Sequence, residues 1–227
     1  MDRWRVCVEP LVYQPTLEKT TMKDYSQNGE QAHILHYLDT IGLKTGHLVD
    51  LGAGDGVTMS NTRALLERGW TGDLYDGDPK GAKDVTKQWI TKEAIPALVD
   101  CRCDFLNLDL DGNDYWLLHA VFEHTPAMPS LIVCEVNPIF QRDEAVVMPY
   151  NAGHVWQSDT FYGMSLAACE QLAHEYGYTL SYLHAGINAF LLRNDHAKAH
   201  PELLRPIEYR QKWDHRAHTP DRQWQHL

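Results

Sequence analysis

The chain has 227 residues, of which 44% are hydrophobic and 22% charged, the make-up of one ordinary globular domain. Twenty Lys and Arg stand against 31 Asp and Glu, a formal charge of −11, which disfavours duplex nucleic acid as a partner because that binding runs on phosphate neutralisation. No apolar run approaches the ~20 residues of a membrane span, and the opening MDRWRVCVEP places charges where a secretory signal needs its apolar stretch, so a cytoplasmic location is expected.

In chain order, residues 1–25 show no periodicity and read as an N-terminal arm. SQNGE (26–30) precedes apolar residues at Ile34, Leu35, Leu38 and Ile41, which predicts a helix capped by Ser26 or Asn28 and ended near Gly42. HLVDLGAGDG (47–56) is a short apolar run closing in glycines, hence a buried parallel strand and its turn. A helix is expected over 57–69, a strand over 72–78, a helix over 79–90 and a short strand over 95–99. DFLNLDLDG (104–112) reads as a strand, 113–123 as a helix, LIVCEVN (131–137) as a strong strand and 164–176 as a helix. YTLSYLH (178–184) and NAFLLR (188–193) read as a hairpin around Gly186.

Alternating strands and helices closed by a hairpin predict an α/β fold. It would be a single Rossmann-like, doubly wound sheet, mostly parallel with a terminal antiparallel hairpin. The domain would span 26–195, with a tail over 196–227 packed on it. Cys7, Cys101, Cys103, Cys134 and Cys169 are odd in number and scattered, so no disulfide framework is expected. Cys101 and Cys103 read as small strand residues rather than half of a zinc site. The tail histidines His196, His200, His215, His218 and His226 lack metal-ligand spacing and read as solvated.

Asp50 to Gly56 reads D-L-G-A-G-D-G, with Gly52, Gly54 and Gly56 in the first strand-to-helix turn. Glycines there let main chain approach a ligand and take φ > 0. The spacing is G-x-G-x-G, whereas a dinucleotide fingerprint needs glycine at Val57, and no P-loop lysine follows. Asp76 and Asp78 close the second strand. Asp76 is placed to accept from ribose hydroxyls, and Asp78 suits the cap of a following helix. A nucleoside ligand without a pyrophosphate fits this pair of features, S-adenosyl-L-methionine being the common one. Asp50, Gly52, Gly54, Asp55, Gly56, Asn61, Asp76 and Asp109 are the candidate cofactor-binding residues.

The stretches SQNGEQAHIL (26–35), VDLGAGDGVTMSNTRALLERGWTGDLYDGDP (49–79), FLNLDLDGNDYWLL (105–118) and LIVCEVNP (131–138) resemble the FkbM-like S-adenosylmethionine-dependent methyltransferases of the class I fold. A weaker match runs over 158–180. The resemblance implies that the loop at Gly52–Gly56 holds the methionine part and Asp76 the ribose. For the adenine-reading acid Asp100 and Asp104 are candidates.

Asp109, Asp111 and Asp114 follow the fourth strand, and Glu135 and Asn137 follow the fifth. Neighbouring strand ends converge, and oxygen ligands suit a hard cation such as Mg²⁺, so Asp111, Glu135 and Asn137 are the candidate metal ligands. A metal lowers the pKa of a bound hydroxyl and orients it. This arrangement is similar to metal-dependent O-methyltransferases of the catechol and macrolide-sugar types. A turn over Asp111–Asn113 with Asn113 or Asp114 as helix cap is the structural alternative. Without a metal, Asp109 or Asp111 is the candidate catalytic base, and His154 is a third. Trp156, Phe161 and Tyr162 would wall a substrate or pack the loop, and Ser26, Gln27 and Glu30 would close over the cofactor or cap their helix.

The expected activity is O-methylation of a sugar or other small hydroxylated metabolite, with the small-molecule methyl acceptor as partner. A homodimer is left open. Methylation of a macromolecule, or nucleoside binding without turnover, are the competing readings.

Overall fold

The computed structural model describes residues 22–209 and 223–227. Most of the arm expected over 1–25, together with Cys7, His215 and His218, lies outside them. The elements are α1 (Glu30–Thr40), β1 (His47–Leu51), α2 (Arg63–Glu67), β2 (Thr71–Asp76), β3 (Thr86–Lys87), α3 (Ile95–Leu98), β4 (Cys103–Leu108), α4 (Asp114–His124), β5 (Leu131–Glu135), β6 (Val146–Val147), α5 (Leu166–Glu175), β7 (Tyr178–His184), β8 (Asn188–Arg193), α6 (Asn194–Ala199) and β9 (Gln225–His226). The fold is α/β, as expected.

Seven strands form one sheet in the order β3-β2-β1-β4-β5-β8-β7. Strands β1 to β5 are mutually parallel, and β8 runs antiparallel between β5 and β7. The chain winds outward from β1 through β2 and β3, then crosses back to β4 on the other side of β1. That reversal makes the carboxyl ends of β1 and β4 a topological switch point, where open α/β sheets bind ligands.

Both faces of the sheet are covered. Val49, Leu51, Leu106, Leu108 and Ile132 point into one core with Leu117, Val121, Leu166 and Leu172 of α4 and α5. Leu48, Phe105, Leu131 and Val133 point into a second core with Ile34, Tyr37 and Leu38 of α1 and Leu65 of α2. Alternation along β1 and β4 then puts Asp50 and Asn107, which are register partners, on the second face. They are polar residues enclosed in an apolar layer.

Three expected elements differ. The helix expected over 57–69 is only α2, because Val57 to Thr62 are consumed by turns that Asp55 and Ser60 cap. The helix expected over 79–90 is absent. Gly81, at φ 82°, breaks it, and Thr86–Lys87 pair with the end of β2 instead. The strand expected over 95–99 is the helix α3, with Pro96 in its first turn.

The tail packs on the domain through Leu203, which is fully buried and whose carbonyl accepts from Tyr37 Oη at 2.6 Å. Strand β9 pairs antiparallel with β6. Trp224 beside it sits edge-on to Phe140 at 4.7 Å and tilted against Phe161 at 4.8 Å. The chain's last residues thus fasten the long connection after β5. Trp224→Ala should cost about 2 kcal/mol in urea unfolding, with most of the loss recovered by Trp224→Phe. An unchanged midpoint would show that Trp224 fastens nothing.

Candidate functional site

The three glycines after β1 do different work. Gly52 has φ 96°, and a Cβ there would land on the carbonyl oxygen of Asp109. Only glycine lets the ends of β1 and β4 come this close, with Asp109 N donating to Leu51 O at 3.0 Å. Gly56 (φ 72°) leaves room for Val85 and Leu74. Gly54 (φ 57°) has nothing within 4 Å of the place its Cβ would take. Its N–H donates to Asp76 Oδ2 at 2.8 Å, and Asp78 N donates to Oδ1 of the same carboxylate at 2.7 Å. Asp76 therefore braces the turn and keeps its remaining lone pairs at the end of β2. Asp78 is exposed and caps no helix. Asp55 is spent within the turn. It accepts from Val57 N, Thr58 N and Thr58 Oγ1, and the Thr58 main-chain bond first among these holds its pKa down at about 2.

Below the turn, Asp50 is 1% exposed. It accepts from Thr62 Oγ1 at 2.6 Å and Asn107 Nδ2 at 2.8 Å, and Asn107 Oδ1 accepts from Asn61 Nδ2 at 3.0 Å. Burial pushes Asp50 up to about 6 against these bonds. Asp50 and Asn61 thus join in a buried network that pins the Ser60–Thr62 segment to the strand ends, and Asn61 Oδ1 is left without a partner.

Asp109, Asp111 and Glu135 each offer a carboxylate oxygen within 4.8 Å of the other two. Asp111 is in the left-handed region at φ 52°, a conformation that aspartate tolerates better than most side chains. Asp114 makes the turn possible, accepting from Leu110 N at 2.8 Å and Gly112 N at 2.9 Å while fully buried. Burial raises Asp109, Asp111 and Glu135, and like charges on one another raise Asp109 and Glu135 further. Burial pushes Asp114 up to about 6. Glu135 Oε2 is buried without a hydrogen-bond partner. Three carboxylates this close, one with an orphan oxygen, require a proton or a cation.

Asn137 is not among them. Its Nδ2 donates to Thr160 O at 3.0 Å and Tyr162 O at 2.9 Å, and its Oδ1 accepts from Ile139 N at 3.2 Å. Of the expected ligands Asp111, Glu135 and Asn137, the first two lie together with Asp109, and Asn137 stands apart, its side chain spent on the loop. The strand ends do converge, but the side chain two residues past β5 turns to hold the next loop.

That loop lies over the carboxylates. Asn113 and Asn151 clamp it, Asn113 Nδ2 donating to Asn151 O at 2.8 Å and Asn151 N to Asn113 Oδ1 at 3.1 Å. His154 covers Gly112, where a Cβ would collide with the imidazole. The ring is near enough to Asp111 to oppose the rise in its pKa, and its Nε2 is buried without a partner. Tyr162 is 7% exposed, and its pKa is raised by burial and then by Glu135, Asp111 and Asp109. Trp156 meets Tyr162 edge-on at 6.1 Å.

On the other flank, the segment before α1 runs beside the Ser60 turn, with Ser60 N donating to Tyr25 O at 2.9 Å. The N-cap of α1 is Gly29, at φ 92°, and not Ser26 or Asn28; Ser26 Oγ accepts from Gln31 N in the first turn at 3.2 Å, while Gln27 is exposed. Glu30 is fully buried and accepts from Asn28 N and from Asn188 Nδ2 on β8, both at 2.8 Å. Sequence reasoning missed Asn107, Asn188 and the Asn113–Asn151 clamp. A lone asparagine inside an apolar strand, as at Asn107, is the one signal that pointed to them.

No family model matches this chain, and no curated protein matches it. Among solved structures it is similar to a conserved hypothetical protein of Streptococcus pyogenes at 15% identity, over 71% of this chain and 95% of that one, with a TM-score of 0.38. It is also similar to an O-methyltransferase family protein from Burkholderia thailandensis at 11% identity (TM-score 0.42). A third is the O-methyltransferase NcsB1 from neocarzinostatin biosynthesis, solved with S-adenosylmethionine and 2-hydroxy-5-methyl naphthoic acid, at 16% identity (TM-score 0.38). Each of the two methyltransferases aligns over 73% of this chain and 57% of its own length. Likenesses this distant decide nothing about activity, which rests on the site itself. Among the described residues no helix is long and apolar enough to cross a membrane.

Two outcomes follow. Gly52→Ala should cost about 3 kcal/mol or more, since it adds a backbone collision to a left-handed φ, whereas Gly54→Ala should cost only about 1–2 kcal/mol. Equal losses in urea unfolding would contradict the division of labour. The buried acids have folded pKa values above their unfolded ones, so their contribution is full below about pH 4 and is lost as pH rises through about 6. In chelator, the thermal midpoint should therefore fall by several degrees between about pH 5 and about pH 7.5. A midpoint that rises over this window would contradict the burial of these carboxylates.

Proposed function

We propose that this chain is an S-adenosylmethionine-dependent methyltransferase acting on a hydroxyl of a small molecule, with a divalent cation such as Mg²⁺ held at Asp109, Asp111 and Glu135. The observation that carries the reading is the join at Gly52. It sets an open glycine turn, braced by Asp76, directly beside a half-buried carboxylate trio at the switch point of the sheet. The FkbM-like pattern of the sequence supports the same reading.

The residues fit a nucleoside cofactor. The space over Gly54 admits a ligand against bare main chain, and Asp76 has lone pairs left for ribose hydroxyls. They also fit a hard cation, because the donors are all carboxylate oxygens and Glu135 Oε2 lacks a partner. S-adenosylmethionine, when bound, supplies an electrophilic methyl group, and a divalent cation, when bound, makes a hydroxyl on it more acidic. The chain's own part is to position and to desolvate. Asp50, Asn107 and Asn61 fix the turn. The Asn113–Asn151 clamp holds the loop that bears the buried Tyr162 against the carboxylates. His154, beside Asp111, is placed to take the proton that the acceptor hydroxyl gives up.

Calorimetry with S-adenosylhomocysteine tests the cofactor part. The chain should bind it one to one, and Gly54→Ala and Asp76→Asn should each weaken binding at least about tenfold, or about 1.4 kcal/mol, while remaining folded. Undiminished binding in both variants would remove the glycine turn from the cofactor site. For the cation, Mn²⁺ should bind the wild-type chain and not Glu135→Gln. Binding unaffected by the substitution would place any cation elsewhere.

A further inference from the structure

The loop after β3 and the connection after β5 meet. Trp89 Nε1 donates to Ala152 O at 2.6 Å, Lys92 N donates to Tyr150 Oη at 3.2 Å, and Tyr150 Oη donates to Glu93 Oε2 at 2.9 Å. Lys92 Nζ lies over the Tyr150 ring, 4.5 Å from its centre. In the sheet, β2, β1 and β4 stand between β3 and β5, a gap of about 19 Å at the usual strand spacing. The two segments therefore form a bridge rather than touch as sheet neighbours. It starts on Gly77, just past β2, where a Cβ would stand 2.8 Å from Trp89 Cε3, and ends on Gly112, just past β4, where a Cβ would collide with His154. The bridge thus joins the residue after Asp76 to the residue after Asp111.

Trp89 is the member of the bridge that borders the cofactor's flank. Gly77 gives up a side chain to the indole, which lies with Cε3 and Cζ3 against it and Nε1 on Ala152. Held at two edges, Trp89 is still 48% exposed. A ring fixed this way offers flat surface at little further cost in rotamer entropy. Asp76 sets what would cover it. The base of a nucleoside is bonded to the sugar carbon beside a hydroxyl, so a ribose on Asp76 leaves its base within reach of the next residue, and the indole stands on that residue. Stacking of a base on an aromatic ring needs no hydrogen-bond match. Asp100 and Asp104, the acids weighed for the base, stand instead at the amino ends of the strands, Asp104 accepting from His47 N at 3.0 Å.

We propose, resting on the cofactor reading above, that Trp89 is a positioning residue that couples the two halves of the site: its bare ring surface receives the base of the bound nucleoside while its Nε1 holds the loop over the carboxylates at Ala152. A base on the ring stabilises the one rotamer in which Nε1 reaches Ala152. Filling the cofactor site therefore tightens residues 150–154, and by linkage a tightened loop strengthens cofactor binding.

Calorimetry and hydrogen exchange on the full chain with S-adenosylhomocysteine test this without turnover. In the wild-type chain the ligand should slow exchange at residues 150–154 at least about fivefold. Trp89→Ala should weaken binding at least about tenfold, and Trp89→Phe, which keeps a ring for the base, less than about threefold. Lacking the N–H, Trp89→Phe saturated with ligand should slow the loop less than about twofold. Undiminished binding to Trp89→Ala takes the base off the indole, and wild-type slowing in Trp89→Phe takes the loop off it; either result overturns the proposal. So does a wild-type chain that binds the ligand with no change in the loop. A wild-type chain that binds no S-adenosylhomocysteine overturns the cofactor reading and this one with it.

Discussion

The approach of β1 to β4 at Gly52 is the constraint on which the site depends. Two parallel strands end side by side, and the main chain of one passes through the space a side chain of the other would need. Because Gly52 has no Cβ, the glycine turn and the Asp109–Asp111 turn become one surface. Asp76 stiffens the first turn and Asp114 the second, each by accepting two main-chain N–H groups. Carboxylates used as braces cost desolvation, and the raised pKa of Asp114 records that cost.

This packing explains why so many acids gather in one place. In an apolar sheet, a carboxylate survives only with donors, a proton or a cation. Asp50 has its donors in Thr62 and Asn107, and Asp114 has two amides. Asp109, Asp111 and Glu135 have one another. The trio is therefore the unbalanced part of the molecule, and it stands beneath a loop held down by Asn113, Asn137 and Trp224. An unfavourable charge arrangement is thus kept in place by the structure around it.

Much of this was legible in the sequence. Strong apolar runs located β1, β4, β5 and the β7–β8 hairpin, because burial on both faces leaves a continuous apolar signal. Residues 57–69 and 79–90 misled because helical spacing there was outweighed by turn chemistry, from Asp55 and Ser60 in one case and Gly81 in the other. The convergence of Asp109, Asp111 and Glu135 could be read from the rule that adjacent parallel strands end together. The exclusion of Asn137 could not, since it depends on a side-chain torsion and on a loop 23 to 25 residues away. The separate tasks of Gly52, Gly54 and Gly56 were equally hidden, for the spacing is the same whether a glycine faces a strand, open space or a valine.

A crystal structure of the chain with S-adenosylhomocysteine and Mn²⁺ tests the central claim most directly. The account predicts the nucleoside lying along the main chain at Gly54 with its ribose on Asp76, its sulfur toward the carboxylate trio, and the ion on Asp109, Asp111 and Glu135. A nucleoside seated away from the β1–β4 switch point, or a trio that stays closed on itself with the ligand bound, would contradict it.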